Sequence, residues 1–259
     1  MDLTQEIIIG VPGISDSEFI TLCIASFFTS VISASFGLGG GLMLVTIMAS
    51  ILPPLAVIPI HGVIQFSSNL SRAMMMWNHI KFTWIMPFVI GTLFGAYIGG
   101  QIVFAIPKHL LQGIIGLFIL YSLWGPSMRG INSSWATFAG IGAFASFTTM
   151  FVGGTGPLVA PFIRSTTYER RMTVATHAAF MSWQHGIKIL TFGLLGFAFS
   201  TYAPLVIVMI LLSILGSWFG KTFLTWMPEK VFRLAFNTVL TLLAIRLLYV
   251  ALNHGKWFP

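Results

Sequence analysis

Two series of polar residues break an otherwise apolar chain. His61, Gln65, Ser68, Asn69 and Arg72 are spaced at 0, 4, 7, 8 and 11. On a helix turning by 100° per residue this confines them to roughly 100° of arc, one stripe down one face. His177, Gln184, His185 and Lys188 repeat the stripe at 0, 7, 8 and 11. Each series therefore offers one permanent or near-permanent cation with imidazole and amide donors. The six acidic residues are Asp2, Glu6, Asp16, Glu18, Glu169 and Glu229, none of them within either stripe. Polar groups in an apolar run are costly unless they pair or line a wet cavity. With no carboxylate to neutralise Arg72 and Lys188, the chemistry favoured is binding of a small anion, which a guanidinium can grip through two N–H groups.

Two glycine clusters add to this: Gly37, Gly39, Gly40 and Gly41 with Leu38 between them, and Gly153, Gly154 and Gly156 around Thr155. A glycine-rich turn that opens a helix exposes main-chain N–H groups at its positive end, a ready anion site. The candidate binding set is thus Gly39, Gly40, His61, Gln65, Asn69, Arg72, Gly154, Thr155, His177, Gln184, His185 and Lys188. Plainer readings compete. The two cations could sit at span ends and snorkel to the interface, the histidines could be satisfied interhelical donors, and the glycines could only permit close packing.

These residues need a scaffold, which hydropathy supplies. Apolar runs lie at 17–36, 42–52, 56–77, 83–104, 109–125, 134–152, 155–163, 172–196, 203–222 and 230–252. Most are long enough to cross a hydrocarbon core. The runs 42–52 and 155–163 are too short; each follows a glycine cluster and runs toward a proline, at Pro53-Pro54 and at Pro161. They read as broken or re-entrant segments, tolerated only where the backbone lines a cavity or is packed in protein.

The chain also repeats itself. A shift of 116 positions pairs Gly37 with Gly153, Gly40 with Gly156, His61 with His177 and Arg72 with Lys188. A shift of 121 then pairs Gly95 with Gly216, Gly99 with Gly220 and Pro107 with Pro228. The expected division is 1–128 and 129–259 within one integral membrane domain, each repeat a glycine-tipped broken-helix hairpin plus three crossing helices. That is an odd net number of crossings, so the repeats should be inverted. Loop charge agrees: Arg164, Arg170 and Arg171 have an uncharged counterpart near 53–56, and the loop with His79 and Lys81 pairs with an uncharged turn near 197–202. By the bias of basic residues to cytoplasmic loops, Lys81, Arg129, Arg164, Arg170, Arg171, Lys221 and Lys230 would be inside. Lys108, Lys256 and both termini would then lie on the non-cytoplasmic side.

Composition excludes other classes. Apolar residues are 56% of the 259 and charged residues 7%, against about a quarter charged in soluble domains. The net charge of +7 falls mostly in short inter-helix positions, which is no nucleic-acid footprint. The single cysteine, Cys23, excludes an internal disulfide or thiolate metal site. The polar, acidic residues 1–16 lack a basic leader, so the first run reads as a retained span. No histidine cluster with a carboxylate, no Ser–His–Asp set, no paired acids and no Walker motif is present, so the expectation is a non-enzyme without metal or cofactor. Most Trp residues, including Trp77, Trp84, Trp124, Trp135, Trp226 and Trp257, suit interfacial belts. Trp183 stands apart, beside Gln184 and His185 in mid-span.

The order of motifs resembles the TauE/SafE family of sulfite and organosulfonate exporters, over nearly the whole chain. The resemblance rests on Phe36 to Gly41, Pro59 to Gly62, Ser68 to Arg72, Gly95-Ala96-x-x-Gly99 before Ile106-Pro107, Gly153 to Pro157, Thr176-His177-Ala178 and Gln184-His185-x-x-Lys188. It implies a multi-pass carrier in a bacterial inner membrane, with duplicated halves and a small sulfur-containing anion such as sulfite or sulfoacetate as cargo, exported. If transport is driven, a proton or the membrane potential must drive it, and His61, His177 and His185 are the titrating candidates. An anion channel or passive pore, a carrier of small carboxylates and a non-transport assembly role are the alternatives; a homodimer stays open as the assembly.

Overall fold

The computed structural model describes residues 11, 13–37, 39–103, 106–125, 133–167, 169–223 and 229–253. For residues 108, 223, 229–233, 235, 236 and 239 it describes the backbone alone. The topology markers Arg129 and Lys256, the side chains of Lys108 and Lys230, the acidic residues Asp2 and Glu6, and Trp226 and Trp257 lie outside this description.

The described residues form helices and no strand: α1 Asp16–Phe36, α2 Gly40–Ile51, α3 Pro54–Met75, α4 Ile85–Val103, α5 Lys108–Trp124, α6 Trp135–Val152, α7 Gly156–Arg164, α8 Arg170–Leu194, α9 Ala203–Phe223 and α10 Glu229–Leu252. Short 3-10 turns at Trp77–His79, Phe82–Trp84 and Phe199–Tyr202 complete the connections. The protein is an all-α, multi-pass membrane protein. The segments Asp16–Phe36, Phe82–Val103, Trp135–Val152 and Phe199–Thr222 are long and apolar enough to cross a membrane. Polarity is also arranged inside out, with Phe28, Phe94, Tyr97 and Leu194 exposed while Ser26, Thr29, Ser30, Ser146 and Thr149 are buried. Such a surface suits lipid, and such an interior suits interhelical hydrogen bonding.

Local signals explain the element ends. Ser15 and Glu18 cap α1 reciprocally, satisfying orphan donors of the first turn. Gly37 and Gly153 end α1 and α6 at the same positive φ of 80°, which only glycine adopts without strain. Pro53-Pro54 bounds α2 as expected. Pro161, by contrast, lies inside α7, which runs on to Arg164; the fixed φ of proline is itself helical, so in so short a helix the lost N–H does not stop the chain.

The halves interlock. α4 lies along α6, and α9 along α1, with glycines bringing backbones into contact. A Cβ on Gly95 would fall 2.0 Å from the Ala143 carbonyl oxygen, and one on Gly216 would fall 2.3 Å from that of Phe27. Ala143 follows Phe27 by the same 116 positions, and Gly216 follows Gly95 by the same 121, that recur in the sequence. Gly99 against Phe147 and Gly220 against Val31 repeat the correspondence. At the centre α3 and α8 pack antiparallel. Gly62 abuts Lys188 and Ile189, Gly186 abuts Phe66, and Ala73 and Met76 cluster with Val174 and Ala175.

At one end of the bundle three basic side chains bond across the halves. Lys81 Nζ donates to the Thr166 carbonyl at 2.7 Å, Arg170 Nη2 to that of Ser35 at 3.0 Å, and Lys221 Nζ to that of Met75 at 3.3 Å. Each carbonyl lies at or near the C-terminal end of a helix, where a cation is favoured. The positions related to these cations by the same shifts of 116 and 121 are Phe197, Pro54 and Gly100, so these three bonds have no counterpart from equivalent residues.

Candidate functional site

Both stripes are buried in the core of the bundle. Arg72 is 3% exposed and Lys188 0%, so neither snorkels to a surface. Their helices run in opposite directions, however, and this separates them. Arg72 lies toward the end of the bundle that carries Lys81, Arg170 and Lys221, and Lys188 toward the other. Gly62 abuts Lys188, so at 1.5 Å per residue the two backbones are roughly 15 Å apart in depth. The stripes therefore form a column along the bundle.

The centre of the column is where the hairpin tips meet. Gly154 lies against Gly41 and the His61 ring. His61 Nε2 donates to the Gly41 carbonyl at 2.8 Å; because the carbonyl can only accept, the proton is on Nε2. In the second half His177 Nε2 donates to the Gly156 carbonyl at 3.3 Å. Each histidine thus ties its long helix to the first turn of the short helix in its own half. The N-terminal ends of α2 and α7, where N–H groups lack helical partners, are brought to the core this way.

Two glutamines flank this meeting point. Gln184 Oε1 accepts from Thr155 Oγ1 at 2.9 Å, and Gln65 Oε1 accepts from Asn69 Nδ2 at 3.2 Å. Both Nε2 groups are buried without a hydrogen-bond partner among the described residues. Arg72 donates through Nη2 to Asn69 Oδ1, while its Nε and Nη1 are likewise buried and unpartnered. His177 is within electrostatic range of this guanidinium.

Lys188 reaches the same tip from the other side: its Nζ donates to the Gly153 carbonyl at 2.5 Å and to Thr149 Oγ1 at 2.9 Å. Thr149 Oγ1 in turn donates to the same carbonyl at 2.8 Å. The rings of His61 and His185 are 5.7 Å apart, edge to face. Among the described residues no group of His, Cys, Asp or Glu could hold a metal ion.

Of the twelve residues expected from the sequence, His61, Gly154, Thr155, Gln184, His185 and Gln65 lie about the centre. Asn69, Arg72 and His177 lie toward one end, and Lys188, its backbone on the other side, brings its ammonium to the Gly153 carbonyl at the hairpin tip. Gly39 and Gly40 open α2 at the hairpin. Gly39 takes a φ of 97°, and a Cβ on Gly40 would fall 1.8 Å from the Thr29 carbonyl. Ser68, on the same stripe, turns to Ser217 Oγ of α9 at 3.0 Å. Trp183 is 52% exposed and faces out of the bundle. Thr149, Gly41 and Gly153 were not singled out as ligands from the sequence. For Thr149 the signal was its place four residues before the helix-ending glycine, where a hydroxyl reaches the terminal carbonyl.

A cavity of about 150 Å³ lies elsewhere, lined by Ser50, Gln112 and Arg246 among others.

Comparison with known proteins adds one match: the family model described as Sulfite exporter TauE/SafE matches residues 22–247. No curated protein and no solved structure matches the chain.

Proposed function

Since the chain belongs to the TauE/SafE sulfite exporter family, a family of membrane transporters, we propose that it is a secondary carrier for a small sulfur-containing oxyanion, sulfite or a sulfonate such as sulfoacetate. The observation that carries this reading is the set of unpartnered donors at the core. Arg72 Nε and Nη1 and the Nε2 groups of Gln65 and Gln184 are all buried without acceptors among the described residues. A buried donor left unmade costs on the order of 1–3 kcal/mol, and four of them on one column call for a ligand that only accepts. An oxyanion does, and the N-terminal ends of α2 and α7 favour negative charge at the same place.

The domains in this reading are two inverted repeats, 1–128 and 129–259. The antiparallel pairing of the equivalent helices α3 and α8 and the exchanged contacts of α4 with α6 and α9 with α1 support it. Inversion turns the same half to opposite faces of the membrane, which alternating access to a central site requires. The carrier then sits in a bacterial inner membrane with both termini outside the cytoplasm, and it exports its cargo. The basic end with Lys81, Arg170 and Lys221 faces the cytoplasm. The histidines His61, His177 and His185 are the groups through which a proton would couple.

Calorimetric titration of the purified protein with sulfite, sulfoacetate, sulfate, thiosulfate and small carboxylates tests the cargo. Sulfite or sulfoacetate is expected to bind most tightly, with binding lost in Arg72→Ala. A ranking led by carboxylates would move the cargo to that class. Flux through proteoliposomes that never saturates with substrate would make the protein a channel.

A further inference from the structure

Arg72, Asn69 and Gln65 form a chain whose polarity is set by chemistry. A guanidinium has only donors, so Asn69 must turn Oδ1 toward Arg72. Asn69 Nδ2 then faces the other way and donates to the Gln65 main-chain carbonyl at 2.7 Å and to Gln65 Oε1 at 3.2 Å. The main-chain carbonyl fixes this orientation independently, because it too can only accept. Both ends of the Asn69 amide are therefore assigned without reference to which atom is oxygen and which is nitrogen in the coordinates. Gln65, its oxygen engaged, has Nε2 as its remaining group, buried and without a partner.

We propose that Asn69 is the positioning residue that makes this column select anions. It is neutral, so it holds the guanidinium in place without cancelling its charge. It also donates to Gln65, so the glutamine presents its amide hydrogens to the site and not its carbonyl oxygen. This rests on the anion-carrier reading above and adds the source of its charge selectivity. The isosteric change Asn69→Asp should reverse both effects. A carboxylate pairs with Arg72 and accepts from Gln65 Nε2, which turns the Gln65 oxygen toward the cargo. Asn69→Leu removes the amide and adds no charge, leaving Arg72 cationic.

The test is titration of sulfite and sulfoacetate into the full chain in detergent, comparing wild type with Asn69→Asp, Asn69→Leu, Gln65→Glu and Arg72→Gln. Each variant is checked first for monodisperse elution and a cooperative melt. Asn69→Asp is expected to weaken binding by about tenfold or more, and Asn69→Leu by clearly less. A residue that merely packs gives the opposite order, since Asp matches Asn in shape and Leu does not. Gln65→Glu keeps an acceptor for Asn69 Nδ2 and should still lose the anion; it serves in place of Asn69→Asp if that variant does not fold. Binding lost in Arg72→Gln but retained in Asn69→Asp or Gln65→Glu overturns the inference and spares the carrier. Binding unchanged in Arg72→Gln, or absent in wild type, overturns the carrier reading itself.

Discussion

Arg72 and Lys188 each stand eleven residues after a histidine on their own helix, yet they spend their hydrogen bonds differently. Lys188 turns onto the Gly153 carbonyl and Thr149 Oγ1 at the end of α6. Arg72 turns along its own helix to Asn69 and leaves Nε and Nη1 without a partner among the described residues. An ammonium at a helix C-terminal end is well placed electrostatically. The second cation is thus largely satisfied by protein, and the first is not.

The two substitutions should therefore separate. Lys188→Met is expected to cost about 2 kcal/mol of stability, as for a lost hydrogen bond from a charged donor. Anion affinity should fall less in it than in Arg72→Gln. Arg72→Gln should show the reverse, with affinity falling and the melt little changed. Denaturant melts and titrations on the same preparations check both.

Glycine contacts between α4 and α6 and between α1 and α9 give a second expectation. Gly95→Ala and Gly216→Ala each push a methyl into a main-chain oxygen, at 2.0 and 2.3 Å. Neither carbonyl can move without its helix, so both variants should lose most folded protein in a detergent melt. Gly140→Ala, where nothing lies within 4 Å of the new methyl, should melt as wild type or slightly above it.

The three cross-half bonds at the basic end can be probed directly. Lys81→Gln with Arg170→Gln is expected to raise the labelling rate of a cysteine placed at Ser35 by a membrane-impermeant thiol reagent, on a Cys23→Ala background. An unchanged rate would mean that those bonds do not hold this end closed.

Much of the scaffold was legible in the sequence. Hydropathy located the spans, glycine clusters marked α2 and α7, and a shift of 116 positions paired the stripes. The stripes themselves proved to face the core. What periodicity could not supply was depth. It gives the angle of a residue about its own helix and not the direction of the neighbour it packs against. The antiparallel crossing of α3 and α8 therefore spreads the stripes along the bundle axis, with Arg72 and Lys188 on backbones about ten residues apart in depth. Local spacing also could not reveal that Lys188 finds Thr149, 39 residues earlier. Nor could it show that Gly40 packs on α1, that Ser68 belongs to α9, or that Trp183 points outward. Those depend on which helices become neighbours.

The bonds from Lys81, Arg170 and Lys221 have one more consequence. In the proposed carrier, two repeats of strict symmetry would generate two conformations of equal free energy and an empty protein divided evenly between them. The positions equivalent to these cations are Phe197, Pro54 and Gly100, so these particular bonds would bias the unloaded carrier toward the conformation that keeps them. A cargo arriving from the other side would then meet the site already available. One arriving from the bonded side would first have to supply the free energy of the switch, and its apparent affinity would be weakened by that amount. The same site would then read as tighter from one compartment than from the other, without any change in the residues that touch the cargo.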